Sequence, residues 1–184
     1  EIDTLSSYGV KEITLLGQNV TSYMGEDENG NILNFASLLQ RIANRLRETK
    51  SSIGWVRFMS SHPKDLSPEV IAVIAKEEVL CRHIHLPVQH GSDNVLKRMN
   101  RRYTVEQYVS LVERIRKEIP DVSLTTDIML GFPGETDSDF EQTVELMKRI
   151  RYETAFMYYY NPREGTPAAK MDNQIPVEIK KERL

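Results

Sequence analysis

Two hydrophobic rhythms alternate along this chain. Short apolar runs rich in β-branched and aromatic residues occur at Glu12 to Leu16, Trp55 to Met59, Cys81 to Val88, Val122 to Leu130 and Thr154 to Tyr160. Runs of this length bounded by turn residues predict strands. Between them apolar residues recur at helical spacing: Phe35, Leu38, Leu39, Ile42 and Leu46; Tyr108, Leu111, Val112 and Ile115; Phe140, Val144 and Met147. Start signals support these helices. Asn34 is a cap, Ser67-Pro68 places a cap before a proline, and the pairs Thr104/Gln107 and Thr136/Asp139 have capping-box spacing. Pro176 is predicted to open a last helix. The least regular stretch, Thr21 to Asn31, reads as a solvated loop. Strands separated by helices imply right-handed crossovers and a parallel sheet, an α/β fold.

Each predicted strand ends in polar residues or glycine: Gly17-Gln18-Asn19, Ser60-Ser61-His62, Gln89-His90-Gly91-Ser92, Asp127 with Gly131, and Tyr160-Asn161. In a parallel sheet these ends converge on one rim, where ligands of α/β folds sit. Amides and hydroxyls there suit a ribose or an amino-acid group, and glycines let backbone approach a ligand. The alternative is that these residues simply form turns. Five such ends in order favour a polar small-molecule site. Asp127, inside an apolar run, needs a partner. Either a ligand or a backbone amide answers that need.

Composition narrows the classes. With 184 residues, 40% hydrophobic and 28% charged, the chain is an ordinary globular domain, and we expect one domain over residues 1–184. It opens at Glu1 inside a helical pattern and stops at Leu184 inside another, so we expect a piece of a longer protein. A net charge of −3 argues against tight nucleic-acid binding by this piece alone. No apolar run reaches membrane-spanning length, and we expect no membrane association and a cytoplasmic protein. The single cysteine, Cys81, excludes an internal disulfide and reads as a buried structural residue. His62, His83, His85 and His90 lack metal-ligand spacing; His83 and His85 share a strand face, which leaves a metal pair open beside packing.

Four stretches resemble a known family: GVKEITLLGQNVTSY from Gly9, RFMSSHPKDL from Arg57, HIHLPVQHGSDNVLKRMNRRYT from His83, and LTTDIMLGFPGET with YYYNPREGTPAAKM downstream. They are similar to the radical S-adenosylmethionine core of the methylthiotransferases, over nearly the whole chain. The resemblance implies a partial (β/α)6 TIM-barrel-like core, parallel strands with outer helices, holding five of six core strands. GQN after the first strand resembles the MiaB-like branch, which methylthiolates isopentenylated adenosine beside the tRNA anticodon. The RimO-like branch, acting on a ribosomal-protein aspartate, has an AQD-type sequence there. A barrel binding another small molecule without radical chemistry is a third reading.

The resemblance implies S-adenosylmethionine as cofactor and two 4Fe-4S clusters in the parent enzyme. Their ligand cysteines, including a CxxxCxxC motif, lie outside this chain, as do an N-terminal domain and a C-terminal TRAM domain through which tRNA would mainly be held. No catalytic residue and no metal ligand are therefore expected here. By motif, Gly17, Gln18 and Asn19 would contact the methionine amino group, and Ser60 and Asp127 the ribose. Gln89 is the polar residue at its strand end. Arg101, twelve positions after Gln89, would meet the cofactor carboxylate. Met129 and Gly131 would flank the adenine, and Tyr160 and Asn161 would close it. Arg101 also reads as part of a solvated cluster with Lys97, Arg98 and Arg102, or as a phosphate contact. Tyr158-Tyr159-Tyr160 reads as a base-stacking surface or as an ordinary barrel strand.

Overall fold

A computed structural model describes residues 1–59 and 62–184. They form two compact units, Glu1–His85 with Arg114–Ser123, and Leu86–Glu113 with Leu124–Leu184.

The first unit contains α1 (Ile2–Ser7), β1 (Glu12–Leu15), β2 (Met24–Glu26), β3 (Ile32–Asn34), α2 (Phe35–Glu48), β4 (Trp55–Phe58), α3 (Pro68–Lys76) and β5 (His83–His85). β1 and β4 pair in parallel, Glu12 opposite Trp55 through Leu15 opposite Phe58. Asn34 caps α2 by accepting from Ser37 N at 2.9 Å, as its position predicts. The helix buries Phe35, Leu39, Ile42 and Leu46 and packs against α3, which contributes Val70, Ile71 and Ile74. Phe35 meets Phe58 of β4 edge-to-face, with centroids 5.2 Å apart, a geometry worth about 0.5–1.5 kcal/mol beyond burial. Just after α3, the buried Glu77 carboxylate accepts from Gln40 Nε2 at 2.7 Å and pairs with Arg47 of α2. Those partners answer the cost of burying its charge.

One expected loop is structured. Within Thr21 to Asn31 and beyond it, β2 and β3 form an antiparallel hairpin, Met24 opposite Asn34. Asp27 makes the turn: its Oδ1 accepts from the amides of Asn29 and Asn31, each at 2.9 Å, and its Oδ2 from Asn31 Nδ2 at 3.0 Å. Three-residue strands are too short for a visible alternation, so only the turn chemistry of Asp27 and Gly30 marked the hairpin in the sequence.

The second unit carries α4 (Asp93–Arg98), most of α5 (Val105–Glu118), β6 (Ser123–Leu130, from Leu124 on), α6 (Asp137–Ile150), β7 (Thr154–Tyr159) and α7 (Val177–Arg183). β6 and β7 pair in parallel from Thr125 opposite Thr154 to Leu130 opposite Tyr159. Both capping boxes form, Thr104 with Gln107 and Thr136 with Asp139. α4, at six residues, is too short to show a helical period and was not predicted.

The expected strand Cys81 to Val88 is regular only over His83–His85. Beyond it Pro87 offers no N–H, and side chains replace part of the ladder. Leu86 N donates to Thr125 O at 2.8 Å, and Val88 N to Thr126 Oγ1 at 2.9 Å. Tyr108 Oη donates to Leu86 O at 2.8 Å, and Tyr103 Oη to Val88 O at 3.0 Å. The segment before Gln89 is thus tied from several sides.

Thr126 is fully buried, and its hydroxyl both serves Val88 N and donates to Leu86 O at 2.9 Å. Thr126→Val keeps the shape but leaves a buried amide unpaired. We expect a loss of roughly 1–3 kcal/mol, read from urea unfolding. A loss below about 0.5 kcal/mol, within the range of an ordinary surface change, would show that the tie is not needed.

Candidate cofactor site

β6 alternates strictly in burial towards its end. Thr126, Ile128 and Leu130 are buried, while Asp127 and Met129 are half-buried on the other face. The β7 register puts Phe156 beside Asp127 and Tyr158 beside Met129 on that same face. The ladder runs on past β7, with Tyr160 N donating to Leu130 O at 2.7 Å.

Gln89 joins this face by its backbone. Its amide donates to Asp127 O at 2.9 Å and its carbonyl accepts from Met129 N at 2.8 Å. Its φ is +69°, a left-handed conformation uncommon for a residue with a side chain. Such strain persists where the surroundings over-determine it, and it concentrates at ligand sites. The structure therefore brings Gln89, Asp127 and Met129 together, with Gly131 and Tyr160 at the strand ends.

The turn after β6 is organised by one carboxylate. Glu135 Oε2 accepts from Gly131 N at 2.7 Å, from Phe132 N at 3.3 Å and from His90 Nε2 at 3.1 Å. Its Oε1 accepts from Arg183 Nη1 at 2.7 Å. Gly131, at φ +68°, also lies so close to Lys180 that a methyl group there would collide with the lysine Cγ. His90 is fully buried; Ser92 N donates to its Nδ1 at 3.0 Å, which leaves the proton on Nε2 facing Glu135. Next to it, Gly91 N donates to Thr143 Oγ1 at 2.9 Å, and any side chain on Gly91 would strike the α6 backbone. Ser92 Oγ donates to Asp139 Oδ1 at 2.5 Å. This network was not found from the sequence, because it joins residues about forty to fifty positions apart with no local spacing.

Arg101 follows α4, its amide on Leu96 O at 2.8 Å. It is half-buried and near enough to Tyr103 to act on its hydroxyl electrostatically. Burial pushes that hydroxyl up to about 12, with Arg101 opposing. Tyr160 stacks edge-to-face on Phe132, centroids 5.1 Å apart, and its carbonyl accepts from Lys180 Nζ at 3.0 Å. Its hydroxyl is buried and has no hydrogen-bond partner among the described residues. Asn161 is exposed.

Gly17, Gln18 and Asn19 belong to the first unit, at the carboxyl end of β1. Gly17 and Asn19 line a cavity of about 760 Å³ there with Leu15, Val20, Tyr23 and Phe35. Gly17 and Gln18 are exposed. The Asn19 side chain is committed: Nδ2 donates to Asp65 Oδ2 at 2.6 Å, and Oδ1 accepts from Thr21 Oγ1 at 2.7 Å. It braces two loops rather than offering its amide. Ser60 lies outside the described residues. His62 caps the turn after it, accepting from Lys64 N at 3.2 Å. Burial lowers the affinity of His83 for its proton. Among the described residues no three His, Cys, Asp or Glu are grouped to hold a metal. Cys81 is buried, and burial pushes its thiol up.

Parallel strands alternating with helices, with polar residues at the strands' carboxyl ends in each unit, define an α/β core. The chain belongs to the radical SAM superfamily, whose profile matches residues 1–147. It is similar to proteins named tRNA-2-methylthio-N(6)-dimethylallyladenosine synthase. The one from Treponema pallidum is 58% identical over 96% of this chain and 38% of its own length. The one from Treponema denticola is 56% identical over 100% and 41%, and the one from Clostridium botulinum 52% over 100% and 39%. The chain thus spans about two fifths of these relatives. In fold it resembles the radical S-adenosylmethionine methyltransferase TsrM from Kitasatospora setae, with TM-score 0.69, 16% identity, and 91% of this chain and 31% of that one covered. It also resembles the radical enzyme OxsB, with TM-score 0.59, 13% identity, and 99% and 24% covered. The expected α/β class with parallel strands is that of radical SAM cores.

The Glu135 carboxyl gives a pH signature. Burial alone would raise it, but the His90 hydrogen bond, the charge of Arg183 and the Gly131 amide outweigh burial and hold it below the usual 4.5. A depressed carboxyl contributes stability that is present above its unfolded value and lost as pH falls through the folded one. The melting temperature should therefore fall steeply below about pH 4.5. Glu135→Gln should be less stable at neutral pH and show a shallower acid slope. Superimposable acid slopes would exclude this carboxylate as a source of the acid sensitivity.

Proposed function

We propose that this chain is the S-adenosylmethionine-binding core of a tRNA methylthiotransferase that modifies N6-dimethylallylated adenosine at C2. The observation that carries this is the 52–58% identity to synthases of that name over 96–100% of the chain. Their names also favour the tRNA branch over the ribosomal-protein branch, in line with GQN at Gly17 to Asn19. On this reading residues 1–184 are the central part of a longer enzyme, one radical SAM core. The flanking cluster segment and tRNA-holding domain lie outside it, and the work is done in the cytoplasm. Among the described residues no helix is long and apolar enough to cross a membrane.

The rim of the second unit fits S-adenosylmethionine. A buried hydroxyl on Tyr160 without a partner among the described residues and a strained Gln89 are features that a polar ligand would account for. An iron–sulfur cluster does not fit this chain: it needs several thiolates, and Cys81 is the one cysteine, buried in the first unit. S-adenosylmethionine, when bound, supplies the methyl group and the source of radical chemistry. The chain's own work is binding and orientation. Asp127 accepts from ribose hydroxyls, and the Gln89 side-chain amide adds a neutral hydrogen bond. Met129 packs on one face of the adenine, and Gly131 admits backbone close to it. The Tyr160 hydroxyl and Asn161 close the adenosine from the last strand, and Arg101 takes the carboxylate. Gly17 and Gln18 offer backbone to the methionine amino group; Asn19 acts by holding that loop. For Ser60 the proposal remains the ribose.

Two outcomes test this. In the full-length enzyme Asp127→Ala should weaken S-adenosylmethionine binding by about ten- to hundredfold, the loss of a charge-assisted hydrogen bond of roughly 1.5–3 kcal/mol. Gln89→Ala should weaken it less. Lowered stability with unchanged affinity would make Asp127 a structural residue. Separately, nucleosides from cells lacking the enzyme should keep dimethylallyladenosine and lose its 2-methylthio form by mass spectrometry. Unchanged tRNA with loss of a methylthio-aspartate would move the function to the ribosomal-protein branch.

A further inference from the structure

The last helix is packed inside out. In α7 the buried residue is Lys180, only 3% exposed, while Val177, Ile179 and Leu184 around it are 47%, 39% and 47% exposed. A surface helix ordinarily buries its apolar residues and leaves lysine in water. Apolar burial therefore does not hold α7 in place. Two cations one turn apart do. Lys180 Nζ donates to Tyr160 O at 3.0 Å and lies 5.2 Å from the centre of the Tyr160 ring, and its stem lies against Gly131. Arg183, whose side chain is 8% exposed, donates to Glu135 Oε1 at 2.7 Å and to Asp137 Oδ1 at 2.5 Å. Its guanidinium also lies 5.6 Å from the centre of the Phe140 ring.

Both cations act on backbone that borders the rim. Lys180 holds the carbonyl of Tyr160 and covers the turn at Gly131. Arg183 holds the carboxylate that itself receives the Gly131 and Phe132 amides. A lysine stem is a loose filler for a turn when an apolar side chain would cost less to bury. Its ammonium is what an apolar residue cannot supply. We propose that α7 is a clasp setting the geometry of the rim, with Lys180 and Arg183 as positioning residues for S-adenosylmethionine. This rests on the reading above that the Gln89, Asp127, Gly131 and Tyr160 rim binds that molecule.

The test uses the full-length enzyme with Lys180→Met, Arg183→Ala and Arg183→Lys. Methionine keeps a stem over Gly131 and removes the ammonium. Amide hydrogen exchange is followed in segments 129–136 and 158–162, with α5 as the internal reference. S-adenosylmethionine affinity is measured by calorimetry. Lys180→Met and Arg183→Ala should speed exchange in those two segments about tenfold, leave the α5 rate unchanged and weaken binding about tenfold, the effect of one lost hydrogen bond to a charged group. Arg183→Lys should recover most of the affinity. Equal acceleration everywhere would mean that the variants merely unfold, and would overturn the proposal. If the unaltered enzyme binds and the variants bind and exchange as it does, the clasp alone is wrong. If the unaltered enzyme does not bind S-adenosylmethionine, the cofactor reading fails and the proposal with it.

Discussion

A carboxylate removed from water has to be answered from every side, and in the second unit that demand organises the turn after β6. Glu135 is buried among an imidazole, a guanidinium and two backbone amides. These donors come from three stretches of chain: the segment after β5, the turn itself and α7. An unanswered charge there would be costly, and removing one partner of a buried pair is commonly worse than never having had it. The turn's conformation is fixed because few arrangements bring those donors together. Gly131 at positive φ is one condition, and the close seat of Gly91 on α6 is another.

From this anchor the geometry spreads. His90 is one residue from Gln89, so fixing the imidazole limits the strained backbone before it. The tyrosines on Leu86 and Val88 limit it from the other side. Asp127 and Met129 take their places from the strand register, which cannot slip by one residue without turning Ile128 and Leu130 to the opposite face. The proposed ligand groups thus sit on a rigid strand, and backbone is constrained where it would meet a ligand.

The larger elements were legible because they are long and periodic. α2, α5 and α6 each carry a cap and an apolar stripe, and β6 is a long apolar run. Their ends were set by side-chain chemistry visible in the sequence: Asn34, Ser67, Thr104 and Thr136 all do what their positions predict. Shorter elements were hidden. The hairpin of β2 and β3 and the helix α4 span less than the window a rhythm needs. In the site, Asp127, Gln89 and Gly131 stood out because polar or flexible residues broke apolar runs. Lys180 and Arg183 did not, because nothing local distinguishes a buried cation from a solvated one. The tie of the Asn19 amide to Asp65, forty-six positions away, has no local signal either.

That tie constrains how such loops can diverge. The Asn19 amide nitrogen lies 2.6 Å from an Asp65 oxygen. An aspartate at position 19, as in the AQD type of sequence, would set two carboxylates against each other at hydrogen-bonding distance, where one must keep a proton or move away. The third letter of this short signature is therefore not free to drift alone. A change at position 19 is coupled to the charge at position 65. A three-residue signature can in this way be held in place by a neighbour far along the chain, independently of what the enzyme modifies.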